Sequence, residues 1–193
     1  MKKAVIILSV LFFSLSAVEI TAQKSTFTKG DNVLGLGFGV GGSTYTGYQI
    51  AGWATGTKVK VSPYLFVNFE HCIIDNLFDE KSSIGVGGQF GYRSVSLGWN
   101  ENLGWKTTIF TINAKGAFHY ALVDKLDTYA GVTMGYNIEK TEYAGGYNTE
   151  PDRRPFGYNL FVGARYYFTS NIAVFGELGF GTTVLNLGLA FKF

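Results

Sequence analysis

Five side chains of this sequence, Glu70, Gln89, Lys115, Arg165 and Glu177, have the types and positions to build a polar site in an interior. Arg165 and Glu177 each lie a few residues from the break at Thr169-Ser170, so two antiparallel strands joined there would bring them to adjacent positions. Glu70, Gln89 and Lys115 read to similar depth from their own breaks. Such a network of ion pairs and hydrogen bonds has two readings: a gated path for a proton or solute, or a plug that satisfies charges in a closed interior. The plug is favoured, because charges taken out of water must generally be paired. Arg165→Ala is then expected to destabilise the protein by leaving Glu177 without its partner.

Other chemistry is poorly provided for. His71, His119 and Cys72 form no set with metal-ligand spacing. Neither histidine lies at the end of its segment where a hydrolase would need it beside a serine or acid. The single cysteine, Cys72, cannot form an internal disulfide. No catalytic, cofactor-binding or metal-binding residue is assigned, and no cofactor is expected. Residues 37–42 read GFGVGG, which fits G-x-G-x-x-G letter for letter. A dinucleotide site also needs a helix opening on the glycines and an acidic residue about 20 positions on. The following STYTGYQIAGWATGT shows no helical periodicity, and no Asp or Glu occurs between Asp31 and Glu70. The glycines instead alternate with Leu34, Leu36, Phe38 and Val40, which is the period of a strand.

These residues need a scaffold, and the chain of 193 residues suits one domain. Lys2 and Lys3 precede the apolar stretch AVIILSVLFF, and small residues follow to Thr21-Ala22. This reads as a secretory signal peptide over 1–22, too short to span a membrane, leaving 23–193 as the mature domain. Its removal takes Lys2, Lys3 and Glu19 from a chain of formal charge +2, leaving +1. A near-neutral balance with scattered basic residues gives no electrostatic case for nucleic acid. Glycine accounts for 26 residues and aromatics for 17% of the chain, yet beyond the leader no apolar run approaches the ~18 residues of a spanning helix. Alternation spreads apolar residues in this way.

Eight period-2 segments separated by polar breaks fall at 32–41, 58–71, 83–94, 107–121, 128–138, 158–168, 171–181 and 183–193. Residues 24–31 form a polar lead-in. One face of the segments carries Leu, Val, Ile, Phe and Tyr throughout, including Val61, Val67, Phe90, Ile112, Val132, Val162, Val174 and Leu187. No charged side chain falls on it. The opposite face carries Lys60, Glu70, Gln89, Arg93, Asn113, Lys115, His119, Arg165, Glu177, Asn186 and Lys192 among glycines. A soluble barrel would place its charges outside. An apolar exterior without charge is what a penalty of ~2–4 kcal/mol for Arg or Lys at the bilayer midplane selects. The breaks at 72–82, 122–127 and 169–170 are short, and those at 42–57, 95–106 and 139–157 are long, as in barrels with short periplasmic turns and long outer loops. The fold is therefore read as all-β, an eight-stranded antiparallel up-and-down transmembrane β-barrel preceded by a cleaved signal peptide. Eight strands leave an interior that side chains can fill. Pro63 lies inside the second segment, and a bulge, or a strand reaching above the lipid, would accommodate it.

The terminal Asn186-Leu-Gly188-Leu-Ala-Phe191-Lys-Phe193 resembles the C-terminal signal of outer-membrane barrels: a polar residue, Gly, alternating hydrophobics and a final aromatic. The mature chain resembles the small eight-stranded outer-membrane barrels of the OmpA/OmpX and opacity-protein type. Stretches such as SPYLFVNFEHCIIDN, GARYYFTSNIAVFGELGFG and LNLGLAFKF are similar to those of barrel proteins common in Bacteroidetes-type bacteria. The resemblance implies a bacterial outer-membrane location, contact with outer-membrane lipids and recognition by the barrel assembly machinery. It leaves function open, since these barrels host adhesion, structural, transport and enzymatic roles. The expected role is non-enzymatic, structural or surface-binding through the long loops, where Trp53, Trp99 and Trp105 could pack at the rim or touch a partner. A narrow transporter for small or apolar solutes is the alternative. A lipid-modifying enzyme is disfavoured by the histidine positions, and a soluble lipocalin-like carrier is the rival fold.

Overall fold

The structure, a computed structural model, describes residues 25–56, 58–100, 103–143 and 156–193. The signal-peptide reading falls outside them. The elements in chain order are β1 (Asn32–Val40), α1 (Ser43–Thr55), β2 (Lys58–Val61), β3 (Tyr64–Asp75), β4 (Ser82–Asn100), β5 (Leu103–Val123), β6 (Leu126–Tyr143), β7 (Phe156–Tyr167), β8 (Ile172–Gly181) and β9 (Leu185–Lys192). Each pairs antiparallel with its neighbours, β4 pairs with β5, and β1 pairs with both β3 and β9, which closes the ring. Because β2 and β3 lie along the same neighbour, β4, they are two parts of one wall strand, and the barrel has eight.

The interruption is at Pro63, where the ladder carries a bulge. Val61 faces Val95 while Leu65 faces Tyr92, so Ser62 to Tyr64 stand against only Arg93 and Ser94. Ser62 spans the gap: its N–H donates to the Ser94 carbonyl at 2.8 Å, and its Oγ accepts the Ser94 N–H at 2.9 Å. One extra residue reverses the parity of everything before it. Lys60, expected to face inward, therefore faces out opposite Ser96, and Val61, expected to face lipid, faces in opposite the buried Val95.

Elsewhere the faces alternate as a barrel wall requires. Leu36, Phe38, Phe90, Ile112, Leu160, Val162, Leu178 and Leu189 are exposed on the outside, while Asn68, Gln89, Asn113, Thr133 and Asn159 are buried inside. The inverted arrangement, apolar out and polar in, suits lipid on the outside. The glycines of GFGVGG serve the interior. Gly37 faces Gly188 across the β1–β9 pair, and a Cβ at Gly37 would lie 2.6 Å from the Phe66 ring, one at Gly188 2.6 Å from the Phe175 ring. Phe66 and Phe175, 6.1 Å apart, fill the space these glycines leave.

Three further features of the fold differ from the sequence reading. Residues 43–55 are a helix, although they carry no apolar stripe for periodicity to reveal. It opens on Gly42, whose carbonyl accepts the Thr46 N–H at 2.9 Å; Gly42 has φ 95°, and a Cβ there would collide with the Thr182 carbonyl. The helix removes one argument against a nucleotide loop, but the glycines before it face a filled lumen. Second, 95–100, 103–106 and 139–143 are strand, not loop. β4, β5 and β6 run for 19, 21 and 18 residues, against 9 for β1 and 10 for β8. A tilted strand crosses the hydrocarbon in about 9–11 residues, so these three stand well above it as a stem. Third, the lead-in is not a bare tether: Phe27 is fully buried in the periplasmic end of the barrel.

Candidate functional site

The five residues read as a polar network all lie in the lumen and all are buried: Glu70, Gln89, Lys115, Arg165 and Glu177. Four of them join a continuous set of contacts. Glu70 on β3 is its centre. Its Oε2 accepts a hydrogen bond from Arg165 Nη2 at 2.9 Å and lies 3.6 Å from Lys115 Nζ, and its Oε1 lies 2.8 Å from His119 Nε2. The other histidine nitrogen, Nδ1, lies 2.9 Å from Asp127 Oδ1. Arg165 Nη1 lies 3.4 Å from Asp127 Oδ2, and Lys115 Nζ 3.5 Å from Glu177 Oε1. Glu177 also accepts from the Tyr129 hydroxyl and from Asn186 Nδ2, each at 3.1 Å.

Arg165 and Glu177 do not pair. The β7–β8 register sets Arg165 opposite Phe175 and Glu177 opposite Gly163, one inward position away. The large Tyr129 ring fills the intervening space, with the Arg165 guanidinium 5.2 Å from its centre and the hydroxyl bound to Glu177. Arg165 reaches across the lumen to Glu70 instead.

Sequence reasoning missed His119, Asp127, Tyr129 and Phe27 as members. The sequence pattern places Asp127 in a break at 122–127, but the β5–β6 turn is only Asp124-Lys125, with Lys125 at φ 63°. Asp127 thus belongs to a strand, on the inward parity of Tyr129 and Thr133, and that alternation was the available signal. With His119 as an imidazolium donating from both ring nitrogens, three cations (Lys115, His119, Arg165) balance three carboxylates (Glu70, Asp127, Glu177). Phe27 caps this half, its ring 4.6 Å from that of His119 and 5.8 Å from the Arg165 guanidinium.

The outer half of the lumen is neutral by comparison. Gln89 lies there with Tyr64, Asn68, Asn113, Thr133, Asn159 and Thr183 around a cavity of about 10 Å³ that Lys115 and Glu177 of the cluster also line, the room of about one water. Arg93 closes its outer end, donating from Nη1 to the Thr182 carbonyl at 3.4 Å and from Nη2 to the Gly41 carbonyl at 3.3 Å. At the rim above, a groove of about 650 Å³ runs between the start of α1, the β6 stem, the start of β7 and the β8–β9 turn, with Thr46, Asn137, Glu139, Tyr158 and Phe180 among its walls.

The remaining assigned positions are dispersed. Trp53 projects from α1, 87% exposed. Trp105 lies on the inward parity of the stem, opposite Leu97 and Tyr143. Trp99 is in β4, and its side chain lies outside the described residues. Of the terminal motif, Asn186 is buried and holds Glu177, Gly188 makes room for Phe175, and Phe191 and Phe193 are exposed on the outer face. His71 lies on the outer face near the periplasmic rim, its Nδ1 2.9 Å from Asn32 Oδ1. Cys72 is buried, with its thiol 3.4 Å from the Ile74 carbonyl. Among the described residues no group of three or more His, Cys, Asp or Glu could hold a metal ion.

No protein-family model matches the chain, and no curated protein matches it. Solved structures do. The crystal structure of Ail, the attachment invasion locus protein of Yersinia pestis, in complex with the heparin analogue sucrose octasulfate, is similar at a TM-score of 0.52 and 10% identity, over 86% of this chain and 100% of that one. The outer membrane protein OprG from Pseudomonas aeruginosa is similar at a TM-score of 0.41 and 12% identity, over 88% of this chain and 99% of that one. The likeness to Ail agrees with the strand order and closure described above: this chain has the fold of a small outer-membrane β-barrel.

Proposed function

We propose that this protein is a non-enzymatic barrel of the bacterial outer membrane that conducts no solute and acts at the cell surface, as a structural or binding element, through its stem and outer rim. The observation that carries this reading is the closed lumen. Its inner half is filled by the Glu70–Lys115–His119–Asp127–Arg165–Glu177 cluster and Phe27, and the cavity above that cluster holds only about 10 Å³. A solute would have to break several buried ion pairs at once, each costly to separate. The outward apolar wall and the terminal Phe191 and Phe193 support insertion in the outer membrane and recognition by its assembly machinery. The Bacteroidetes-type origin suggested by SPYLFVNFEHCIIDN and GARYYFTSNIAVFGELGFG belongs to the same proposal. What remains free for contact is the outer end: the β4–β6 stem, the rim groove and Trp53.

The test is reconstitution in planar bilayers and in liposomes loaded for osmotic swelling. No conductance steps and no swelling with small sugars or amino acids are expected. Steps of constant size, or swelling that tracks solute size, would replace this reading with the narrow transporter.

A further inference from the structure

Four lysines occupy the outside of the stem just above the apolar wall. Lys58 and Lys60 on β2, Lys106 on β5 and Lys140 on β6 are all exposed. The register sets them on one contiguous strip: Lys60 faces Ser96, Ser96 faces Lys106, Lys106 faces Glu142, and Lys140 lies one outward position below. Glu142, 3.6 Å from Lys140, is the one carboxylate on that strip among the described residues. Directly beneath, on the same outer face, lie Tyr92, Phe110 and Ile138, with the first two rings 5.5 Å apart. Two strand residues advance about 7 Å. Lys140 therefore begins one such step above the aromatic tier, and Lys60 and Lys106 one step higher, within reach of lysine stems that extend toward an interface. The other rim is different: Asp75, Asp79, Glu80, Lys81, Asp124 and Lys125 mix both signs at the short turns.

We infer that this strip binds the phosphorylated headgroup of an outer-leaflet lipid, as a bidentate or bridging phosphate site shared by Lys60, Lys106 and Lys140. The inference rests on the outer-membrane reading above. Its placement selects the partner. The lysines face sideways over the membrane, at headgroup height, not toward the stem tip or into the lumen where a soluble polyanion would arrive. The Pro63 bulge turns Lys60 outward, onto the face that Lys106 and Lys140 occupy through the regular register of β5 and β6.

The experiment compares the wild-type protein, a triple variant (Lys60→Gln, Lys106→Gln, Lys140→Gln) and a control (Lys81→Gln, Lys125→Gln) in phosphatidylcholine nanodiscs doped with bisphosphorylated lipid A. Retained lipid A is counted by native mass spectrometry. Each lysine removed is expected to weaken retention roughly fivefold, on the order of 100-fold for three. The control should match wild type, and dephosphorylated lipid A should not be retained. Equal retention by the triple variant, or retention that ignores the phosphates, overturns the site. So does loss of binding to a heparin fragment with lipid A retention intact, which would reassign the strip to a soluble polyanion. A wild-type protein without a heat-shifted gel band overturns the membrane reading and this one together, whereas a shifted band with unchanged retention overturns only the lysine site.

Discussion

Arg165 and Arg93 are the same side chain, equally buried at 2% exposure, in the two halves of one lumen. Their surroundings have little in common. Arg165 has Glu70 at 2.9 Å, Asp127 at 3.4 Å and the rings of Phe27 and Tyr129 beside it. Arg93 has two carbonyl oxygens at 3.3 and 3.4 Å, the ring of Tyr64, and no carboxylate among the described residues. In each, Nε has no hydrogen-bond partner among the described residues. The inner half is thus a charge-compensated plug in which every ion depends on the others. The outer half is an amide-and-hydroxyl packing closed by a single strut. Burial alone does not say how much a residue holds the barrel together; the sign and distance of what faces it do.

The largest effect should come from breaking the compensated side. Arg165→Ala leaves two carboxylates short of a cation, and removal of one partner from a buried pair costs about 3–5 kcal/mol. The urea midpoint of the heat-modifiable band in lipid vesicles should fall accordingly, and a midpoint equal to wild type would show that Glu70 and Asp127 are satisfied without it. Phe27→Ala should follow at about 3 kcal/mol, since it empties a fully buried aromatic site and wets the His119 ring. If Phe27→Ala unfolds at the wild-type midpoint, the lead-in is not part of the plug. A double-mutant cycle then sharpens the wiring. Arg165 and Glu70 should couple by about 2 kcal/mol, and Arg165 and Glu177 by clearly less, because only the first pair touches. The reverse order would restore the sequence-based pairing.

That pairing shows how far the sequence could be read. The inside–outside alternation gave the barrel, its eight walls and the interior position of Glu70, Gln89, Lys115, Arg165 and Glu177, because parity along a strand is local. Which of them meet is not local. It depends on the stagger between strands, and a single inward step separates Arg165 from Glu177. The bulge at Pro63 is legible as a possibility, but the number of residues it adds is fixed only by the ladder to β4, and that one residue reverses the parity of Lys60. Helix α1 was illegible for a different reason: it lacks an apolar stripe, so no periodicity marks it. Phe27 lay in a polar lead-in with no pattern at all. Its role appears only when the chain folds back, with the Gly30 N–H donating to the Cys72 carbonyl and the Cys72 N–H to the Asp31 carbonyl.

The smallest effect should be at Arg93. Arg93→Met keeps most of the volume and removes a buried charge that no carboxylate among the described residues offsets. The gain in desolvation opposes the loss of two long hydrogen bonds, which leaves the Thr182 and Gly41 carbonyls unbonded by the strut, and of a buried contact over Tyr64 worth about 2 kcal/mol. These terms nearly cancel, so the urea midpoint should shift by no more than about 1 kcal/mol in either direction. The bilayer conductance should also stay at baseline, because the strut closes only the outer half and the ion cluster still fills the inner one. A loss as large as that of Arg165→Ala would mean that Arg93 is compensated after all, by an anion bound at the outer mouth. A chloride- or phosphate-dependent midpoint in the wild type, absent in the variant, would identify it.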